Sequence, residues 1–167
     1  MHQAHSEQAG RHAEPPYQFN VAAFTEKGEV KTLMADKASK PNLIYAHICE
    51  DVRMEMGDKV SLMGLFDSIL AKEFPAIHPR LAVVAAWGGG IGDFKSQILL
   101  VAPGENQLTD LGSANIRLAN EKHVHRHIGI HYNWKIPAPG IYEVRILLDG
   151  DLVRTLRLPV EDARRIQ

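Results

Sequence analysis

The chain has 167 residues, 19 of them basic and 20 acidic, which is enough for one domain with a hydrophobic core and leaves almost no net charge. This balance, with no run of Lys or Arg, predicts no nucleic-acid partner, and no apolar stretch approaches the roughly 20 residues that cross a bilayer, which predicts no membrane partner. The single cysteine, Cys49, excludes an intramolecular disulfide and favours a reducing, cytoplasmic location.

The first 41 residues precede the expected domain. Residues 1–16 contain no Val, Ile, Leu or aromatic side chain, so we expect a disordered tail and no signal peptide. Residues 17–41 combine modest apolar content with a polar linker, which predicts either two weak strands around Gly28 or an N-terminal arm lying on the domain. The compact domain is predicted over residues 42–160, followed by a short charged tail over 161–167.

A two-residue hydrophobic period dominates the chain after residue 42 and predicts β-strands. In the first strand Ile44, Ala46, Ile48 and Val52 share one face, which we expect in the core. A turn is predicted at 56–59. Residues 60–70 are apolar on both faces, which predicts a central strand.

Further strands are predicted at 80–87, 94–102, 114–118, 124–136, 142–148 and 152–160. Asp149 and Gly150 separate the last two, and this pair favours a type I′ hairpin because both residues tolerate positive φ. Seven to nine strands at short spacing, with no convincing long helix, predict an all-β fold formed by a single antiparallel β-sandwich.

Two stretches carry a family resemblance: AHICEDVRMEMGDKVSLMGLFDSI at 46–69 and PGIYEVRILLDGDLVRTLRLPV at 139–160. With WGGGIGDF at 87–94 they resemble a family of uncharacterised prokaryotic proteins. The residues that match its pattern are Cys49, Val52, Ser61, Leu62, Leu65, Phe66, Asp67, Gly140, Tyr142, Asp149, Gly150, Pro159 and Val160. The resemblance implies an immunoglobulin-like antiparallel β-sandwich, a domain of unknown function, and it carries over no catalytic residue.

The strand at 124–136 holds the most unusual feature, since His123, His125, His127 and His131 share one face. Imidazoles projecting from one side of a strand are ligands that zinc or another divalent metal accepts, with a further ligand supplied by a neighbouring strand. The alternatives are a solvated polar face, or a patch that switches at about pH 6. In each interpretation the histidines point outward, and the side chains expected in the core are Val124, Ile128, Ile130, Tyr132 and Trp134.

Four other features could suggest a functional site, but each has a simpler structural interpretation. Cys49 is expected to be a small, partly buried hydrophobe, because His47, two positions away on a strand, is not a hydrogen-bond partner for it. Glycines at 88–92 lack the helix and Lys of a phosphate loop, which favours a flexible hairpin or bulge.

Trp87 is expected to be exposed. The acidic Glu50, Asp51 and Glu55 lack calcium-loop spacing and favour a solvated edge.

The sequence contains no complete catalytic set, and it therefore favours a non-catalytic binding or assembly module without a cofactor. The alternative is a metal-binding protein, or a metal-dependent enzyme, built on the histidine face. Exposed sheet edges favour a protein partner or a homodimer.

Overall fold

The computed structural model describes residues 38–105 and 107–165, so the predictions for residues 1–16 and 17–37 lie outside the described residues. This part of the chain forms nine β-strands and two short 3-10 turns, with no α-helix. In chain order the strands are β1 Asn42–Glu55, β2 Lys59–Leu65, β3 Ile69–Ala71, β4 Ala76–Gly88, β5 Gly92–Val101, β6 Leu108–Leu118, β7 Val124–Ile136, β8 Gly140–Leu148 and β9 Asp151–Asp162. None of the described residues forms a helix of the length and apolarity needed to cross a membrane.

The strands form two sheets, one with the order β2-β1-β4-β7 and one with the order β3-β9-β8-β5-β6. Neighbouring strands are antiparallel, except that β3 runs parallel to β9. The inner faces share one core, which includes Leu81, Ile98, Val144, Ile146 and Leu158. The predicted all-β sandwich of seven to nine strands is therefore confirmed, with nine strands. The immunoglobulin-like subclass stays a prediction.

The first two strands differ in part from their prediction. Ala46 and Ile48 lie in the core as expected, but Ile44 is exposed because the β1–β4 register shifts between Leu43 and Tyr45. The turn at 56–59 is confirmed by Gly57 and Asp58, whose φ values are 76° and 57°.

The predicted central strand over 60–70 is wrong. The segment is split between β2, at the edge of the four-stranded sheet, and β3, at the edge of the other sheet. Residues 66–68 carry the chain across between the sheets. The apolar side chains on both faces therefore do not indicate burial, and Leu65 and Leu70 are exposed.

The glycines at 88–92 also connect the two sheets, from β4 to β5. The predicted hairpin or bulge is wrong here, because β4 and β5 do not pair. Ser39 and Ile91 exchange two backbone hydrogen bonds of 3.0 Å across this link. A Cβ at Gly90 would lie 2.6 Å from the backbone of Ser39 and Pro41, so only glycine lets the segment before β1 approach so closely.

The hairpin between β8 and β9 is confirmed. Asp149 and Gly150 have φ values of 52° and 89°, as a type I′ turn requires, and they join the paired residues Leu148 and Asp151. The turn is also bound to β5, because the Asp149 N–H donates to the Lys95 carbonyl (2.8 Å) and the Asp149 carboxylate accepts from the Lys95 N–H (2.7 Å). These bonds fix the direction in which β9 begins.

Candidate binding groove and the histidine strand

The histidines of β7 do not form the outward face that the sequence predicts. His127 is 4% exposed and lies between the sheets, whereas Tyr132 is 60% exposed. His125 and His131 are half-buried on the same inner face, because they pair directly with core residues of β4. His123 precedes the strand and is exposed. Ile128 and Ile130, expected in the core, are only partly buried.

The wrong assignment of the inner face of β7 is explained by a phase change, by which we mean a switch in which alternate residues of a strand face the core. In β4 the core-facing residues are even-numbered before Pro79 and odd-numbered after it. In β7 they are odd-numbered before Asn133 and even-numbered after it. Pro79 and Asn133 stand opposite each other at this level without pairing, between the pairs His78–Trp134 and Arg80–Tyr132. Asn133 has a φ of 50°, and Pro79 has no N–H to donate. Counting back from the buried Trp134 therefore assigns residues 124–132 to the wrong face.

A buried hydrogen-bond chain joins β4, β5 and β7. Trp87 Nε1 donates to the hydroxyl of Ser96 (3.0 Å), and that hydroxyl lies 2.8 Å from Nδ1 of His127. Since the hydroxyl oxygen accepts from Trp87, its own proton is available to His127 Nδ1, which places the ring proton on Nε2. Trp87 is fully buried, so the prediction that it is exposed is wrong.

This serine–histidine contact is structural. Ser96 is 0% exposed, so no substrate can approach its oxygen, as a nucleophile would require. Burial lowers the pKa of His127, the neighbouring His125 lowers it further, and the charge of Asp110 acts in the opposite direction. The ring is therefore held neutral, in the state that accepts the Ser96 proton.

One lateral side of the sandwich is closed where β6 meets β7. A Cβ at Gly129 would lie 3.0 Å from the Leu111 carbonyl oxygen, and a Cβ at Gly112 would lie 3.3 Å from His127 Nε2. The two glycines thus let the edge strands of opposite sheets come into backbone contact. We call this contact, formed by Leu111, Gly112, His127 and Gly129, the glycine seam.

A bulge in β6 holds the seam in place. The β5–β6 register shifts between Ile98 and Leu99, which leaves Leu111 as the extra residue. The Asp110 carboxylate accepts from the Gly112 N–H (2.8 Å) and from Gln97 Nε2 (3.1 Å). These bonds fix the bulge, so the seam depends on a local side chain as well as on glycine.

The described residues contain no group of three or more His, Cys, Asp or Glu side chains that could hold a metal ion. His123 Nδ1 accepts from the Ala119 N–H (3.3 Å) in the turn before β7, and His127 Nδ1 is committed to Ser96. The zinc hypothesis for His123, His125, His127 and His131 stays a prediction. The described part of the chain does not bring these rings together as ligands.

The remaining sequence candidates are Cys49 and the acidic residues of β1. Cys49 is buried, and burial followed by the charge of Asp51 raises the pKa of its thiol, which keeps it protonated and unreactive. Asp51 forms an ion pair with Arg80 (2.7 Å), whereas the Glu55 carboxylate accepts a bond from Ser61 (2.9 Å). The acidic residues therefore have separate partners.

The other lateral side of the sandwich is open. Residues 151–159 of β9 pair with β8, and on their other side β3 reaches only Val160–Asp162. Residues 42–48 of β1 pair with β4, but β2 pairs with β1 only from Cys49 onward. The Ile48 carbonyl accepts from the Phe66 N–H (3.4 Å), so within the described residues the free strand edges are residues 42–47 of β1 and 151–159 of β9.

A groove of about 510 Å³ lies between the two free edges. It is lined by Ala46, His47 and Ile48 of β1, Leu65 at the end of β2, Phe66 and Asp67 of the crossing, and Thr155, Leu156 and Arg157 of β9. The crossing segment limits one end. Towards the start of β9, Lys40 Nζ and Asp151 Oδ2 form an ion pair of 3.0 Å. Ala46 and Ile48 belong to the core, so the groove reaches the interior of the sandwich.

The sequence predicts that sheet edges are exposed, but it does not predict which two edges face each other. That depends on where β2 stops pairing and on the crossing at 66–68. The signal that sequence reasoning overlooked is Pro159, because proline inside a strand indicates that one side of that strand is not paired in the ordinary way.

A family model described as "Family of unknown function (DUF6941)" matches residues 44–161. No curated protein matches the sequence. A solved structure with partial similarity is Pseudomonas fluorescens alkylpurine DNA glycosylase AlkC bound to DNA containing an abasic site analog, with 9% identity and a TM-score of 0.43. The match covers 76% of this chain and 32% of that chain, so this chain spans about a third of the glycosylase's length.

The prediction that excludes nucleic acid does not stand. The solved structure with partial similarity is of a glycosylase bound to DNA. A TM-score of 0.43 also assigns no nucleic-acid partner to this chain.

Proposed function

The chain belongs to DUF6941, a family of unknown function, and from its geometry we propose that it is a non-catalytic protein-binding module. The open side carries this proposal, because two free strand edges flank a groove that reaches the core. A free edge offers backbone donors and acceptors to an added strand, and a groove beside it receives alternate side chains of that strand. The proposed activity is therefore capture of an extended protein segment.

The orientation of the β9 backbone supports this use. Pro159 has no N–H, so its nitrogen occupies the side of β9 that faces away from the β8 ladder. The β8–β9 register is unbroken between Arg154 and Val160. Thr155 and Arg157 share the parity of Pro159, so their N–H groups point to the free edge and can donate to an added strand.

The buried chemistry supports the non-catalytic part of the proposal. Ser96 contacts a histidine but is fully buried, and Cys49 is a buried thiol with a raised pKa. Both are groups that a nucleophilic enzyme exposes to its substrate. In the described chain they contribute to packing and hydrogen bonding instead.

The test uses the full chain and a fluorescein-labelled peptide of about ten residues in which Val alternates with Thr, a pattern and length typical of a strand. We expect saturable binding by fluorescence polarisation, and slowed hydrogen exchange at the amides of Thr155 and Arg157. Thr155→Pro removes one of these donors and should abolish binding without unfolding the protein. Thr155→Ala keeps the donor and should bind normally.

A second control lies at the tip of the β1–β2 hairpin, where Met56 is exposed. Met56→Ser removes an apolar side chain away from the groove and should leave peptide binding unchanged. Absence of binding at millimolar peptide, or binding that Thr155→Pro does not change while its melting temperature stays normal, would contradict the proposed function.

We also propose the finer immunoglobulin-like class. Its support is the two-sheet order together with a corner at Tyr142, whose hydroxyl donates to the Ala138 carbonyl four residues upstream (2.9 Å). Immunoglobulin-like sandwiches have such a tyrosine near the start of the strand that follows a sheet-to-sheet corner, and Tyr142 lies in the same place in β8.

The finer location, the cytoplasm, is likewise proposed. Its support is that Cys49 is a free, buried thiol rather than half of a disulfide.

A further inference from the structure

We propose that the groove on the open side selects an extended partner segment that is apolar at alternate positions and carries a carboxylate facing Arg154. This inference rests on the proposed function and names the chemistry of the segment it captures. It is carried by the position of one arginine on β9 and by the charges around it.

Arg154 leaves β9 on the face that points between the sheets. It pairs directly with Ile146, which is fully buried in the core, and directly opposed residues of antiparallel strands project to the same face. Arg154 is nevertheless exposed, because β9 has no neighbour on its free edge at this level within the described residues. Arg154 directly precedes Thr155 of the groove lining, on the strand edge to which an added strand would pair.

The charges beside the free edge favour an acidic segment. Arg154 and Arg157 take part in none of the ion pairs among the described residues. Asp151 is already neutralised by Lys40, which leaves Asp67 as the acidic residue of the groove lining. Arg157 stands directly opposite Glu143 of β8, whereas Arg154 stands opposite the apolar Ile146, so Arg154 is the positive charge at this edge with no acidic residue opposite it.

An inward-pointing charge on an edge strand discriminates among partners. Adding a strand desolvates the Arg154 guanidinium, and an apolar or basic side chain opposite it would leave that charge unpaired. A carboxylate at the same position would accept charge-assisted hydrogen bonds from it. Ile48, Phe66 and Leu156 of the groove lining are apolar and suit the alternate apolar side chains of a strand.

The experiment compares three labelled peptides of the same length: the neutral Val/Thr peptide and two versions with a central Val replaced by Glu or by Lys. Fluorescence polarisation with the full chain should show the Glu peptide binding about tenfold more tightly than the Lys peptide, a difference expected of one charge-assisted contact. Arg154→Gln should remove the difference. Arg117→Gln, a matched change of an exposed arginine on β6, should preserve it.

The outcomes separate the two proposals. Equal affinities for the Glu and Lys peptides, with the neutral peptide still bound and the Thr155 amide protected, would overturn the acidic preference and leave the protein-binding module standing. A preference that persists in Arg154→Gln, with the melting temperature unchanged, would overturn the role of Arg154. Failure of all three peptides to bind at millimolar concentration would overturn both proposals.

Discussion

Strands β6 and β7 meet at the glycine seam, where a Cβ at Gly129 would lie 3.0 Å from the Leu111 carbonyl oxygen, whereas β1 and β9 are separated by a groove of about 510 Å³. Both sides of the sandwich end in edge strands, yet only one side is sealed by backbone contact. At the seam the residues between the strands are glycine and a buried neutral histidine. At the groove they are apolar residues together with His47, Asp67, Thr155 and Arg157.

The difference shows two ways of protecting a strand edge. An edge that touches another strand needs no charge, because there is no room for a further chain. An edge that stays open needs a feature that discourages indiscriminate pairing, and an inward-pointing charge such as Arg154 is one such feature. A larger side chain introduced on the closed side should therefore lower the free energy of unfolding, whereas one introduced on the open side should change it little.

Gly129→Val should have the largest effect, because its Cβ would lie 3.0 Å from the Leu111 carbonyl oxygen and 3.1 Å from the Leu111 Cβ. We expect the free energy of unfolding to fall by about 3 kcal/mol, as for overpacking at a rigid contact. Denaturant titration measures it. Thr155→Val introduces the same side chain on the open side and should change stability little. Equal losses in the two variants would contradict the comparison.

Gly150→Val should have an intermediate effect, at the turn that starts the free edge of β9. No atom lies within 4 Å of a Cβ built there, so the cost comes only from holding a β-branched residue at a φ of 89°. We expect a loss of roughly 1–2 kcal/mol in the free energy of unfolding. Gly150→Asn, which tolerates this conformation better, is the matched control. If both variants are equally stable, the turn type is misassigned.

His127 should give the smallest effect, seen as pH dependence. Its pKa lies below the 6.5 of an ordinary histidine, so the unfolded chain binds the proton more readily than the folded chain. Stability should be complete above pH 6.5 and decrease as the pH falls below it. Between about pH 7.5 and about pH 5, His127→Gln should lose less stability than the wild type, by about 1 kcal/mol or less.

His78 and His125 also have pKa values lowered chiefly by burial, so they contribute to acid destabilisation of the wild type in the same direction. The His127→Gln variant isolates the share that belongs to the seam. His47→Gln, on the lining of the open groove, is the comparison variant. Identical pH profiles for wild type and His127→Gln would show that the seam does not sense protonation.

The sequence predicts local features of this fold better than relations between strands. Alternation identifies the strands, and the Asp149–Gly150 turn follows from two residues that tolerate positive φ. The inner face of β7 is mispredicted because Asn133 adopts a conformation that the pattern of apolar residues does not reveal. Residues 60–70 are mispredicted because an apolar run is the same whether it forms one central strand or two edge strands. The groove escapes prediction because it is formed by segments about 110 residues apart in sequence.

The phase change at Pro79 and Asn133 also determines where this chain can be recombined with another. On either side of that level, β4 and β7 present opposite sets of residues to the core, and the two strands change together. A graft that replaces one strand across this level, while keeping the other, would place a polar set of side chains in the interior. If the exchanged segments end at Pro79 in β4 and at Asn133 in β7, the apolar side chains of both strands still face the core. This level of the sheet is therefore a suitable boundary for building chimeric proteins.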